Sequence, residues 1–470
     1  MKSRVTGDPF IDAGGLAAEA VFSSLQIEDD SPENWLKVIE WVANVYQEKW
    51  QSRIDALSLN GVITQPKKRP KGKEEALKFY RAAFSNRSPY GSKAEISYCR
   101  GCGRKSSLYG SGRDIFPLSG SGAFLNFHHA HESGLFLCAS CLASLFLTPL
   151  AVLECGKIVL LQTQTEGLKK FWRQRTVEQN LVNLARGKSE GILRYDIKNP
   201  QNAFFSLVDE IITKWYDEKQ SFEPQDLRLF YFTNYAAKPE CEIFDLPATV
   251  FTFLWVVQNP AWPDIKIAWQ RFVRRHFRIK QADFVDSEGV WKSTKKNAGA
   301  LADEDYKNNP NIIYQMLLAG QNILRRMYRR RDSKSLVPVE IAKAYCKEVR
   351  LMKKERIQAI LDLADRVCEM VQKEDAKKLI YPLESARYVH QFRTALIRLL
   401  KKNITMGEPE PLFTTADYLE KFLPDGEPWT DMRDLMLIRI YEKLHAYLQA
   451  DVENLSEETV LEPVEEDDSI

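Results

Sequence analysis

Two cysteine pairs, Cys99-Arg-Gly-Cys102 and Cys138-Ala-Ser-Cys141, constrain this chain more than any other stretch, because their spacing dictates both a chemistry and a local shape. Two residues between thiols let both sulfurs of a tight turn reach one ion, and two such pairs complete a tetrahedral four-thiolate site. The spacing therefore predicts one structural Zn2+ held by Cys99, Cys102, Cys138 and Cys141, whose role is folding. Gly101 and Gly103 suit the first knuckle, since a residue without a Cβ tolerates the left-handed backbone that such a turn requires.

The insert between the pairs is rich in Gly, Ser and aromatic residues. Ser119-Gly120-Ser121-Gly122 allows close approach of a ligand, and Asn126 and His128 supply hydrogen-bonding groups. His128, His129 and His131 raise an alternative, because nucleases of the His-Asn-His type can carry a histidine between two such knuckles. That chemistry also needs an Asn and a further His or Lys after the second knuckle. Here Cys141 is followed by Leu-Ala-Ser-Leu-Phe-Leu. No phosphate-cradling loop ending in Lys and Ser or Thr, no Gly-x-Ser-x-Gly elbow and no His-Glu-x-x-His helix occurs either. The expectation is a protein that is not an enzyme.

At 470 residues the chain exceeds one ordinary core, so two or three domains are expected, and 44% hydrophobic content is that of a globular protein. No run of eighteen apolar residues and no leader-like N-terminal stretch is present, which predicts neither a membrane span nor secretion. Outside the knuckles, Cys155, Cys241, Cys346 and Cys368 are scattered, as core cysteines of a reducing cytoplasm would be. The formal charge of +2 conceals an uneven distribution, since residues 453–468 are dense in Glu and Asp. A basic body with an acidic tail points toward nucleic acid.

Along the chain, residues 6–16 read as turns leading into a helix at 17–22. Ser31 and Pro32 cap and start a helix whose buried face is Trp35, Val38, Ile39, Val42, Val45, Tyr46 and Trp50. Residues 65–73 form an exposed loop whose five cations, Lys67, Lys68, Arg69, Lys71 and Lys73, are expected to contact nucleic-acid backbones, as are Lys292, Lys295 and Lys296 and the arginines of 325–330. Strands are expected at 157–163 and 227–233, while the apolar run 248–257 reads as either a strand or a buried helix. Arg271, Arg274, Arg275 and Arg278 fall at helical three- and four-residue steps, which would make a phosphate track. Lys292, Lys295 and Lys296 lie in a polar loop that runs into a linker at 297–310. From 311 helical periodicity takes over, including one helix from Ile341 to Val371. The first helix of this region ends in Arg325, Arg326, Arg329, Arg330 and Arg331. The fold class is thus α+β: a mixed N-terminal domain over 1–310 with the zinc site at 99–141, a helical bundle over 311–450, and an acidic, disordered tail over 451–470.

The opening Thr6-Gly7-Asp8-Pro9-Phe10 together with the two-knuckle region resembles the large subunits of type I-B CRISPR surveillance complexes. That resemblance implies a non-catalytic subunit of a ribonucleoprotein, acting in antiviral defence. Its N-terminal domain would sit near the 5′ end of a guide RNA, read a short motif flanking the target in double-stranded DNA, and help open the duplex. It would recruit a separate helicase-nuclease and contact the backbone, guide-end-binding and small subunits. The C-terminal bundle would resemble the small subunit, which in such systems can start internally; Met316, Met327 and Met352 are candidate starts, and one before Met352 is favoured because Met352 would cut the helix expected from Ile341 to Val371.

Overall fold

Asp8 decides where the first helix begins. Its carboxylate accepts hydrogen bonds from the backbone amides of Phe10 and Ile11, both at 2.9 Å, and Pro9 occupies the first helical position. The helix α1, Pro9–Ser24, therefore starts well before the expected 17–22 and runs straight through Gly14 and Gly15. The glycines are there for space. A Cβ on Gly14 would lie 1.8 Å from the carbonyl oxygen of Ser144, so only a bare Cα lets α1 settle against α4, Ala139–Leu147. The computed structural model of the chain describes residues 5–455 apart from 51–53, 55–56, 58–60, 62–68, 88–94, 119–124, 127–131, 189–190, 235–238, 295–298 and 303–306.

Helix α4 is the hub of the first compact unit, which comprises 1–214, 226–246 and 302–310. Thr148, just past α4, donates to the Phe10 carbonyl at 2.9 Å, closing the seam with α1. On its other sides, the hydroxyls of Tyr46 and Tyr80 donate to the carbonyls of Phe146 and Leu142. Tyr46 follows the Ser31-capped helix α2, Pro32–Asn44, and Tyr80 lies on α3, Gly72–Phe84. All seven apolar residues expected on the buried face of the Ser31-capped segment are buried. The strands at Lys157–Leu161 and Leu227–Thr233 also form, and they pair with each other antiparallel, Val159 opposite Tyr231. They sit inside a five-stranded sheet whose spatial order is Glu240–Leu246, Leu227–Thr233, Lys157–Leu161, Leu153–Cys155, Leu193–Arg194. Cys155 is buried there; Cys241, on the edge strand, is exposed rather than a core residue.

The second unit comprises 215–225, 247–301 and 311–470. The boundary expected at 310 is thus not where packing divides the chain. The apolar run Ala248–Val257 is a helix, and its Phe253 meets Trp269 and Tyr345 edge-on at 5.1 and 5.5 Å, which ties it to the C-terminal helices. Asn311 caps Ile312–Leu318 and donates its amide to the Val273 carbonyl at 2.9 Å. Of the residues expected as a linker, 299–301 belong to the second unit, whereas 307–310 are anchored in the first, where Asn202 donates to the carbonyls of Lys307 and Asn309 at 2.5 and 2.7 Å.

Beyond 338 the helices are Val339–Glu348, Lys354–Lys373, Val389–Thr405 and Trp429–Leu455, with short helical turns between them. The single helix expected from 341 to 371 is broken at 349–353, where Leu351 adopts φ +54°. Met352 lies in that break, so an internal start there would not cut a helix. The last helix continues to Leu455, past the expected end of the bundle at 450, while 456–470 lie outside the described residues. Three buried charged side chains of this unit have partners: Asp431 pairs with Arg350 at 2.9 Å, Arg356 pairs with Glu427 at 2.8 Å, and Asp434 accepts from Tyr328 at 2.8 Å. Removing Arg350 or Glu427 would leave Asp431 or Arg356, respectively, buried and unpaired.

Candidate metal centre

The first knuckle is the turn of a hairpin. Strand β1, Glu95–Tyr98, pairs antiparallel with β2, Lys105–Ser111, and residues 99–104 close the end. Gly103 takes φ +71° and its amide donates to the Cys99 carbonyl at 2.9 Å, as the expected left-handed turn requires. Gly101 has a different setting. A Cβ there would come within 2.4 Å of Ile11 Cδ1, the tip of a side chain on α1, so the turn packs directly against that helix. The second knuckle is presented by a strand at Leu135–Leu137, paired with β2, that runs directly into α4. Cys138 is the N-cap of α4 and Cys141 lies in its first turn, where the positive end of the helix favours thiolates.

All four sulfurs lie within 4.8 Å of one another, and none is in a disulfide. The Cys99–Cys141 and Cys102–Cys138 sulfur pairs are each 3.8 Å apart. A tetrahedral ion with zinc–sulfur bonds of about 2.3 Å separates its ligands by about 3.8 Å, so the cluster has the size for such an ion. Three of the four cysteines are buried and Cys102 is half-buried. Two donors point at sulfur: the Cys138 amide at 3.3 Å from Cys99 Sγ, and Arg104 Nε at 3.4 Å from Cys102 Sγ. Four thiolates around a divalent cation carry a net negative charge, and these donors offset part of it.

Four thiols this close cannot all ionise against one another. Hydrogen bonding with Cys138 and Cys141 holds the Cys99 thiol far below its ordinary value, whereas the contacts of Cys141 with Cys138 and Cys99 push that thiol far up. A divalent cation removes the conflict, and binding it releases the remaining protons. The site can therefore hold a metal and cross-link a hairpin to a helix. All four protein positions are cysteines, which is the pattern of a structural rather than a catalytic centre.

The predicted nucleic-acid residues meet varied fates. Lys67, Lys68, Lys295 and Lys296 lie outside the described residues, as do His128, His129 and His131; Asn126 sits in a two-residue strand, Leu125–Asn126. Arg69 and Lys71 fall in a short helical turn, and Lys73 belongs to α3, where it pairs with Glu40 at 3.2 Å rather than projecting from a loop. Arg271, Arg274 and Arg275 share the helix Pro263–Arg275, but Arg278 lies beyond its end, so the four do not form one helical track. Arg275 pairs with Asp286, Arg274 donates to the Gly289 carbonyl at 3.3 Å, and Lys292, in the strand Val290–Ser293, pairs with Glu288 at 2.6 Å.

The densest basic cluster is likewise not a helix end. Arg325 and Arg326 occupy a 3-10 turn, and Arg329 opens a short hairpin where it engages Asp286 at 3.2 Å and Asp332. Arg325 lies over the ring of Tyr328, 4.7 Å from its centroid. The Arg330 Nε is buried without a partner. Sequence reasoning missed Arg104 at the metal centre and the seating of Gly14 on Ser144. The first left no spacing signal; the second was signalled by a double glycine inside an alanine-rich apolar run.

Comparison with family models, curated proteins and solved structures finds no match to this chain. Among the described residues, no helix is long and apolar enough to cross a membrane.

Proposed function

We propose that this chain is a non-catalytic, zinc-stabilised large subunit of an RNA-guided DNA-surveillance complex. It reads a short motif in double-stranded DNA beside the target, helps open the duplex and recruits a separate helicase-nuclease. One observation carries the reading. The two stretches on which the resemblance rests, the Gly-Asp-Pro-Phe opening and the cysteine knuckles, pack as one module: Gly14 of α1 has no room for a Cβ against the Ser144 backbone of the second knuckle's helix, and Gly101 of the first knuckle lies against Ile11 of α1. Two unrelated chance matches would have no reason to share a seam.

On this reading zinc is the ion, because four cysteine thiolates in tetrahedral spacing suit it best among the divalent metals available in a reducing compartment. Polar residues of the sequence between the knuckles, Asn126 and His128 among them, would contact a base edge or backbone, while guide pairing supplies the long sequence match. Exposed cations such as Arg271 and Arg278 would add affinity without sequence preference.

The test is to purify the protein with whatever it assembles with and extract the nucleic acid. A discrete RNA of uniform length supports the reading; nucleic-acid-free protein that also fails to enrich one duplex sequence overturns it. Cleavage of plasmid in magnesium or manganese, lost in His128→Ala and His129→Ala, would establish the nuclease alternative instead.

A further inference from the structure

The helix Val389–Thr405 has two faces of opposite character. Phe392, Ala395, Leu396 and Leu399 are buried, so the helix is held firmly from one side. Its other face carries Arg393, Arg398 and Lys401, all exposed, with Arg387 exposed just before the first turn. At 3.6 residues per turn, Arg393, Ile397, Lys401 and Ile404 fall on one stripe with Arg398 along its edge. No Asp or Glu occurs anywhere from 385 to 407. None of the side chains of Arg387, Arg393, Arg398 and Lys401 is engaged by an acceptor among the described residues, unlike those of Arg275, Arg329 and Lys292.

Surface cations are ordinarily just solvated, but an ordinary solvated face mixes the two signs of charge and does not gather large apolar side chains. Here Ile397, 49% exposed, lies among the cations, and Ile404, 66% exposed, follows them at the end of the helix. At the start of the helix, Tyr388, 62% exposed, stacks on His390 with the rings nearly parallel and 5.7 Å apart.

We propose that this face binds single-stranded nucleic acid, with Arg393, Arg398 and Lys401 on consecutive phosphates and the Tyr388–His390 stack and the two isoleucines against unstacked bases. Cations supply the backbone attraction and aromatic faces the sequence-tolerant stacking that such binding uses. A duplex keeps its bases inside and would leave the apolar side chains uncovered. An anionic bilayer would need a broader apolar face than two isoleucines seven positions apart. Arg393 and Lys401 are separated by about 12 Å along the axis, enough for more than one phosphate. The inference goes beyond the RNA-guided reading and does not require it, since a nucleic-acid-binding scaffold of another kind would carry the same face.

The experiment uses the full chain and fluorescence anisotropy with a labelled oligothymidylate, a duplex of the same length and phosphatidylserine vesicles, each across a series of salt concentrations. The R393Q/R398Q/K401Q variant, with all three sites exposed, should melt like the parent, bind the single strand at least tenfold more weakly, and show a salt slope shallower by about 0.7 for each phosphate contact removed. Tyr388→Ala should weaken the single strand about tenfold with its salt slope unchanged. Unchanged single-strand affinity and slope in the triple variant would overturn the proposal, as would a loss confined to duplex or vesicles. Because this assay contains no guide RNA, its failure leaves the RNA-extraction result standing, and the reverse holds too.

Discussion

Gly14 shows how much one missing side chain can decide. Its Cβ would meet the Ser144 backbone rather than a movable side-chain tip, so neither helix can yield cheaply. Gly14→Ala should destabilise the first unit by about 3 kcal/mol, despite the gain in helix propensity of about 1 kcal/mol; urea unfolding of both proteins measures it. Asp8 makes a subtler prediction. Burial outweighs its two backbone hydrogen bonds and raises its carboxyl from 3.8 to about 6. A carboxyl raised on folding contributes stability at low pH that is lost as pH climbs through the folded value. Asp8→Asn keeps the cap without the buried charge, so it should equal the parent near pH 4 and exceed it above pH 6. Asp8→Ala should be less stable than Asp8→Asn at every pH, by about 1 kcal/mol. Chemical denaturation at the two pH values checks both, and an Asp8→Asn protein that loses stability at high pH would refute the argument. At this scale the cap residue Ser31 and the four cysteines could be recognised from type and spacing. The contact of Gly101 could not, because it is with Ile11, far away along the chain.

Helices and strands with a clear period were legible, and the elements that went astray share a cause. The run Ala248–Val257 is apolar at nearly every position, so no period distinguishes strand from helix; neighbours such as Trp215 and Trp269 settle the matter by burying it. Residues 325–331 look like a cationic helix end, yet Arg329 finds Asp286 and Asp332, and these charge pairs stabilise a hairpin instead. Packing of this kind also predicts how the C-terminal helices behave when separated. A fragment of 247–470 should give a cooperative thermal transition. A fragment of 311–470 should melt earlier and more broadly, since it leaves Tyr345 without Phe253 and Asn311 without its Val273 acceptor. Circular dichroism melts of the two fragments decide this, and equal transitions would mean that the 248–275 helices add nothing.

For the whole molecule, two compact units with the four-cysteine cluster in only one of them lead to an asymmetric response to metal removal. A strong chelator should lower the melting temperature of one calorimetric transition and leave the other in place, and Cys99→Ser should do the same without chelator. Metal binding to a structural thiolate site can contribute on the order of 10 kcal/mol, so the shift should be large. Elemental analysis should find one zinc per chain, and a chain without metal whose transitions ignore the chelator would refute a structural role. Acid should mimic the chelator, because thiols must lose protons to bind the ion.

What the sequence determined by itself were the features set by residue type and short spacing: a four-cysteine cluster, the helix start at Ser31, the short strands beginning at 157 and 227, and a C-terminal region of amphipathic helices. What only the tertiary structure decided were the features that depend on distant partners. Where the chain divides into units, why Gly14 must lack a side chain, and that Arg329 meets Asp286 are set by contacts between segments tens of residues apart or more. Spacing acts through the local geometry of a few bonds, whereas a seam or an ion pair exists only after the backbone has brought both sides together.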